Sequence, residues 1–378
     1  MDQRVEFALK SLRTANFRAL CEEYGISAKT GYKWRERMMR QGWEGMAEHS
    51  RRPHGHAEQL PEAEVCEMVR LKQAHRPWGP RKIRELYLRL HGRAASESSF
   101  KRVLGRAGLT EPRRRRVRAQ ESGRLWSARR GQAPNEVWTV DFKGWWYDQH
   151  GQRCEPLTVR DEHSRYVLEL RRLPDARTPG VRQCFERLFE RYGLPGAIRS
   201  DNGPPFAHVQ GLLGLSRLSA WWVALGIDLE RGRPGHPQDN GGHERLHRDI
   251  SLELGIGHAR QEELDLWREQ FNRERPHEAL GMKCPAEVYQ RSSRRYTGTP
   301  EDMSYLGMIS RRVSAQGIMR LASHGYFITT SLGGWSVGLK PTPDGPIEVW
   351  FGRLLLGWID PGTESFLRAG TRPQEAGQ

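Results

Sequence analysis

Val137-Trp138-Thr139-Val140-Asp141-Phe142-Lys143 alternates with the two-residue period of a β-strand. Thr139, Asp141 and Lys143 fall on one face, and Trp138, Val140 and Phe142 on the other. Aspartate is disfavoured inside such a run. Something must compensate for it at position 141, and a bound metal ion would do so.

Outward from this stretch, the strand is read as continuing through 137–147 to a turn at Asp148-Gln149-His150-Gly151. Strands over 153–160 and 166–170 follow, then a helix over 178–192 and a short strand over 196–199. A helix over 215–225, a strand over 227–230 and helices over 240–254 and 262–272 complete the unit. Three strands as a meander, then helices alternating with strands, is the element order of a ribonuclease-H-like α/β core, a mixed sheet flanked by helices.

Two further acids stand in distinctive strings. Asp201, in Arg199-Ser200-Asp201-Asn202-Gly203, ends a strand at the carboxyl edge where open α/β sheets gather their sites. Glu244, in Gly242-His243-Glu244-Arg245, lies in the first turns of a helix capped by Asn240. Taken singly, Asp-Asn-Gly is a common turn and a glutamate favours any helix start. Asp239 and Asp249 are rivals for the third position; Asp239 precedes the helix and Asp249 lies off the Glu244 face. Three carboxylates with no cysteine or histidine ligand set suit a hard, oxygen-liganded cation such as Mg²⁺. A pair of such ions is the usual device for cutting and joining phosphodiesters.

Charge points the same way. The 378 residues carry 61 Lys+Arg against 46 Asp+Glu, a formal +15, which favours a polyanionic partner. In the N-terminal part, Phe17–Tyr24 reads as an amphipathic helix stopped by Gly25, and Ser27 caps a second, polar helix carrying Thr30, Tyr32 and Lys33. That is helix-turn-helix organisation, with Ser27, Thr30, Tyr32 and Lys33 as candidate DNA contacts. A second module follows, with helices over 64–74, 81–90 and 99–105, the last offering Lys101 and Arg102. Between 112 and 133 the chain is arginine-rich, with Arg113, Arg114, Arg115 and Arg116 in one run. This linker has too little apolar content for a core, and its charge suits tracking a DNA backbone. After residue 296 short strands over 316–320, 326–330, 335–339, 347–351 and 354–359 suggest a small β-barrel-like domain.

The chain resembles the transposases of bacterial insertion sequences with a retroviral-integrase-like (DDE) catalytic core. The resemblance rests on Pro134–Gly144, Asp161-Glu162-His163-Ser164-Arg165-Tyr166, Ser200–Phe206, Arg233–Gly241, Glu244-Arg245-Leu246-His247-Arg248 and Arg273–Leu280, in that order. It implies that Asp141, Asp201 and Glu244 form a catalytic, metal-binding triad for two Mg²⁺ ions, with Mn²⁺ able to substitute. The interval from Asp201 to Glu244 holds 42 residues, longer than is usual there, and the surplus fits a loop around Gly211-Leu212-Leu213-Gly214. Lys143, Arg245 and Arg248 are candidate contacts to phosphates near the cut. His163, His236 and His243 are read as loop-structural or DNA-contacting residues, and Trp221 and Trp222 as core.

The expected architecture is multidomain. All-α helix-turn-helix modules occupy 1–50 and 58–111, the linker 112–133, the ribonuclease-H-like core 134–296 and the β-rich domain 300–368. The expected partners are double-stranded DNA, as terminal inverted repeats and as target, and further copies of the chain on paired ends. No membrane or small-molecule partner is expected. Cys21, Cys66, Cys154, Cys184 and Cys284 are scattered without a CxxC, and His54 and His56 have no cysteine pair at zinc-finger spacing. With no signal-peptide core and no apolar run of membrane-spanning length, this reads as a cytoplasmic, nucleoid-associated protein. The alternative is a catalytically inactive helix-turn-helix regulator, or a nuclease of ribonuclease-H type. Three acids intact in their strings weigh against the first, and DNA-reading modules beside the core against the second.

Overall fold

A computed structural model describes residues 3–47, 60–110, 131–148, 150–208, 210–232, 241–255, 260–343 and 345–369. Asn240, Asp239, His236, His54, His56 and the arginines 113–116 lie outside the described residues. The chain forms two compact units, Met1–Glu62 and Ala63–Gln378.

The first unit is helical: α1 (Gln3–Ser11), α2 (Phe17–Glu23) and α3 (Ala28–Gln41). Asn16 caps α2 by accepting from the Ala19 amide at 3.1 Å, and Ser27 caps α3 by accepting from Thr30 at 3.2 Å. Each cap satisfies an amide that the first helical turn leaves without a partner. Gly25, at φ +61°, supplies the left-handed turn between them. Phe7 is fully buried, with Phe17, Tyr24 and Trp34 packed edge-on around it. The helix, glycine turn and capped second helix expected from sequence are all present.

In the second unit α4 (Glu62–Ala74), α5 (Pro80–His91) and α6 (Glu97–Arg106) come first. Pro80 opens α5 where its missing N–H costs nothing. Ser96 caps α6 through the Ser99 amide. The sheet then comprises β1 (Val137–Phe142), β2 (Trp146–Tyr147), β3 (Arg153–Asp161), β4 (Val167–Leu173), β5 (Ala197–Ser200) and β6 (Asp228–Arg231). Its order is β4-β3-β1-β5-β6, with β2 pairing the start of β3. β1, β3 and β4 are antiparallel, while β5 and β6 run parallel to β1. This is the mixed sheet of the ribonuclease-H-like core.

The strand expected over 137–147 is broken. Phe142 pairs with Leu157 and Trp146 with Cys154, so the first strand carries one residue more than its partner. Gly144, at φ +96°, absorbs the irregularity. Such a bulge re-aims side chains, and here Trp146 turns to the face that carries Asp141 and Thr158.

Helices cover both faces of the sheet. On one, Trp138, Val140, Leu157 and Val159 pack with Val181, Phe185 and Phe189 of α7 (Thr178–Tyr192) and with Trp221 and Trp222 of α8 (Arg217–Ala224). On the other, Val167 and Leu170 meet Leu246 and Ile250 of α9 (Gly241–Leu254) and Trp267 and Phe271 of α10 (Gln261–Arg273). This second layer holds Glu244 over the sheet.

The C-terminal part contains β7 (Ile309–Arg312), β8 (Ile318–Leu321), β9 (His324–Phe327), β10 (Ser336–Pro341), β11 (Ile347–Phe351), β12 (Leu354–Asp360) and β13 (Ser365–Arg368). The antiparallel order is β13-β12-β11-β10-β7, with β8 and β9 as a separate hairpin. Its core, including Val337, Leu339, Val349 and Phe351, is shared with Leu212 and Leu215 and with Ala220 and Val223 of α8. The long loop after Asp201 thus packs against the C-terminal sheet, with Leu213 taking a left-handed φ of +52°.

Candidate functional site

Asp141 lies in the penultimate position of β1 and Asp201 directly after β5. Thr139 pairs with Arg199 in the parallel β1–β5 ladder, so two residues further on Asp201 draws level with Asp141 on the neighbouring strand. Adjacent strands lie about 4.8 Å apart. Glu244 is in the first turn of α9, exposed at its start. Burial raises the Asp141 carboxyl, and the negative charges of Asp201 and Glu244 raise it further, up to about 7 against the lone opposing Phe142 amide. Asp201 is also raised by burial, partly offset by the Gly203 amide and the charge of Arg231.

The surrounding side chains hold these positions. Arg231 on β6 donates to the Ser200 hydroxyl at 2.5 Å and to the Phe206 carbonyl at 2.8 Å, and Asn202 donates to the Gly232 carbonyl at 2.7 Å. Together they fix the turn that carries Asp201. The buried Arg199 pairs with Glu230 at 2.8 Å. Gly242 at the start of α9 lies directly against the Arg160 guanidinium, where a Cβ would collide.

Two histidines on α9 join the site. His243 is fully buried, and burial holds it well below its ordinary 6.5. His247 is brought down to about 4 by burial, with the Lys143 and Arg160 charges adding to the effect. Both rings approach the Thr158 hydroxyl, His243 through Nδ1 at 3.0 Å and His247 through Nε2 at 2.8 Å. Nitrogens of both rings and an Asp141 carboxylate oxygen lie within 4.8 Å of one another. Thr158 was not evident from sequence, because its place opposite Asp141 follows only from the β1–β3 register. The i, i+4 spacing of His243 and His247 was legible, but their common target was not. His243 is buried too deeply to contact DNA, and His163 donates from Nδ1 to the Gly131 carbonyl at 3.3 Å.

The rival acid Asp249 faces away. It pairs with Arg275 at 2.8 Å, and the same buried guanidinium pairs with Glu253 at 2.9 Å. Glu253 also accepts from the indoles of Trp78 and Trp267. Lys143 is half-buried, its Nζ 5.3 Å from the Trp146 ring centroid, and burial lowers its pKa. Arg245 and Arg248 are exposed on α9. Among the helical residues Lys101 and Arg102 are exposed on α6, and Ser27, Tyr32 and Lys33 are exposed around the start of α3, with Thr30 half-buried. The Ser27 hydroxyl is engaged in its cap and with the Thr30 hydroxyl, and Tyr32 stacks on Phe17 at 4.3 Å. No helix among the described residues is long and apolar enough to cross a membrane.

Residues 131–237 and 225–285 match the integrase core domain family. Residues 3–54 match a helix-turn-helix domain and residues 30–104 a homeodomain-like domain. An insertion element IS407 protein of 31.7 kDa from Burkholderia multivorans is 30% identical over 234 residues, covering 59% of this chain and 79% of that protein. An insertion element IS476 protein from Xanthomonas euvesicatoria is 28% identical over 234 residues, covering 58% of this chain and 62% of that protein. The catalytic core domain of BIV integrase aligns with a TM-score of 0.32 at 26% identity, over 41% of this chain and 93% of that domain.

Proposed function

We propose that this chain, which belongs to the integrase-core family of insertion-element proteins, is a DNA transposase. In this reading it binds the ends of its element, cleaves DNA strands there and joins the 3′-hydroxyl ends to target DNA. The observation that carries the reading is the carboxylate cluster. Asp141 lies level with Asp201 and feels the charge of both Asp201 and Glu244. A half-buried carboxyl raised by two acidic neighbours is a poor arrangement alone and a good one around divalent cations.

The donor set fits such ions: oxygen ligands on a strand end, a strand-following turn and a helix start, Asp141 half-buried and Asp201 and Glu244 open to solvent. Asp141, Asp201 and Glu244 would hold two Mg²⁺ ions, or Mn²⁺ in their place. Bound there, the cations would activate the attacking oxygen and stabilise the leaving one. The chain's own part is positional. Parallel pairing of β1 and β5 would set the spacing of the two aspartates, and the packing of α9 on the sheet the position of the third ligand. Lys143, two residues beyond Asp141, and Arg245 and Arg248, on the helix of Glu244, would meet the phosphates beside the cut. Lys101 and Arg102 on α6, and Ser27, Thr30, Tyr32 and Lys33 around the start of α3, would contact the element ends. Arg113, Arg114, Arg115 and Arg116 would follow the backbone between the two. Cutting both ends together calls for self-association on DNA.

The test is a Mg²⁺-dependent cleavage and strand-transfer assay on the DNA ends flanking the gene, comparing wild type with Glu244→Gln. Activity lost in the variant while end binding persists supports both the transposase reading and the third ligand. A variant that cuts normally removes Glu244 from the site. End binding without cutting in either protein would favour a DNA-binding regulator.

A further inference from the structure

We propose that Thr158 is a positioning residue that pins the helix carrying Glu244 to the strand carrying Asp141. The inference rests on the metal-site reading of those two acids and deepens it. Thr158 stands on β3 directly opposite Asp141, and its hydroxyl donates to the Asp141 backbone carbonyl at 2.9 Å. The same oxygen meets His243 Nδ1 at 3.0 Å and His247 Nε2 at 2.8 Å. One hydroxyl thus ties β1 and β3 to two successive turns of α9, on either side of Glu244.

The bonding pattern is constrained by proton count. A threonine hydroxyl has one proton to give and two lone pairs to receive. With the proton committed to the Asp141 carbonyl, both rings must donate to the oxygen. His243 then carries its proton on Nδ1 and His247 on Nε2. Among the described residues Nε2, the other His243 nitrogen, is buried outside hydrogen-bond geometry, and the ring also faces the Thr139 backbone.

The pin joins the first turns of α9 directly to the strand that carries Asp141. Glu244 itself is exposed at the start of α9, and the hydrophobic contacts of that helix to the sheet lie further on, at Leu246 and Ile250. Without the hydroxyl, α9 would lose this tie to β1 and β3, and the Glu244 carboxylate its fixed offset from Asp141. Groups that orient metal ligands in this way typically change metal affinity by about 10–100-fold when removed.

The experiment uses the full chain without DNA, as wild type, Thr158→Ser and the near-isosteric Thr158→Val. Mn²⁺ binding is followed by electron paramagnetic resonance, and the imidazole tautomers by ¹⁵N spectra of histidine-labelled protein. The pin requires His247 as the Nε2–H tautomer in wild type and in Thr158→Ser. It also requires Mn²⁺ affinity within about twofold of wild type for Thr158→Ser and weaker by about tenfold or more for Thr158→Val. Thr158→Val binding Mn²⁺ as wild type does, or His247 protonated on Nδ1 in wild type, would overturn the proposal. If wild type binds no Mn²⁺, the metal reading of the site fails instead, and the His247 tautomer alone decides the pin. The same tautomer in the unmodified chain decides it should Thr158→Val fail to fold.

Discussion

Trp78, in the turn between α4 and α5, donates its indole N–H to Glu253 in the last turn of α9 across 3.1 Å. This contact spans 175 positions of sequence and ties the second helical module to the helix that carries Glu244. Trp78 is only 3% exposed, and the Arg275 guanidinium lies 6.0 Å from its ring centroid. Trp78→Phe keeps most of the ring and loses the donor, so it should cost about 1 kcal/mol, since Glu253 retains Trp267 and Arg275. Trp78→Ala should cost about 3–5 kcal/mol through the cavity it leaves. Urea unfolding gives these values. Amide exchange in Trp78→Ala should quicken in α4, α5 and the end of α9 together. Wild-type exchange in α4 and α5 would mean that the module is held by other contacts.

Asp249 and Glu244 sit on one helix but should separate cleanly by experiment. Asp249 pairs with buried Arg275 at 2.8 Å. Asp249→Asn should therefore lower stability by about 1–3 kcal/mol and leave divalent-metal affinity unchanged. Glu244→Gln, at an exposed position, should do the reverse. Arg275→Met should be the most severe of the three, about 3–5 kcal/mol, because it strands both Asp249 and Glu253. Melting temperatures with and without Mn²⁺ check all three, and a loss of Mn²⁺ stabilisation in Asp249→Asn would return that residue to the ligand set.

Asp141 has a pH signature. Asp141 rises from its ordinary 3.8 to about 7, through burial first and its acidic neighbours second. An acid raised in this way favours the folded state only while protonated. Metal-free protein should accordingly lose stability as pH climbs from about 4 through 7, by up to roughly 4 kcal/mol. Asp141→Asn removes that slope, so its melting temperature should exceed that of wild type near pH 8 and approach it near pH 4. Mg²⁺ should restore wild type at the higher pH. Parallel melting curves for the two proteins across this range would show that Asp141 carries no such burden.

These relationships mark what was and was not legible in the sequence. Asp141 stood out because aspartate is disfavoured inside a strand, and Asp201 because it ends a strand before an Asn-Gly turn. The helices opened by Ser27 and by the Pro80 turn were readable because their signals are local, whereas α6 was read from 99, two residues late, without its Ser96 cap. β7 and β13 went unseen. All four β7 residues are exposed and β13 buries no side chain fully, so neither shows the inward-outward alternation by which a strand is read. The break at Gly144 was missed because a bulge exists only relative to a partner strand. Thr158, Trp78 and Arg275 share that difficulty: each acts through residues brought to it by register or docking rather than by spacing.

In the first unit Gly31 is tightly constrained. A Cβ at this position would fall 2.7 Å from Cys21 Sγ and 2.9 Å from the Phe7 ring. Both neighbours are buried in the small cluster that holds α1 and α2 against α3, leaving little room to yield. Gly31→Ala should gain helix propensity on paper yet cost about 1–3 kcal/mol through overpacking. The consequence for DNA should be indirect. Lys33 and Tyr32 are exposed next to Gly31, and their placement depends on how closely α3 approaches α2. Binding to the element ends should weaken in Gly31→Ala and recover in the double variant Gly31→Ala, Cys21→Ala, which removes the nearest obstacle. In both proteins affinity should fall steeply with salt, as phosphate contacts require. Should Gly31→Ala bind and melt like wild type, the close approach of α2 and α3 is not what orients the exposed face of α3.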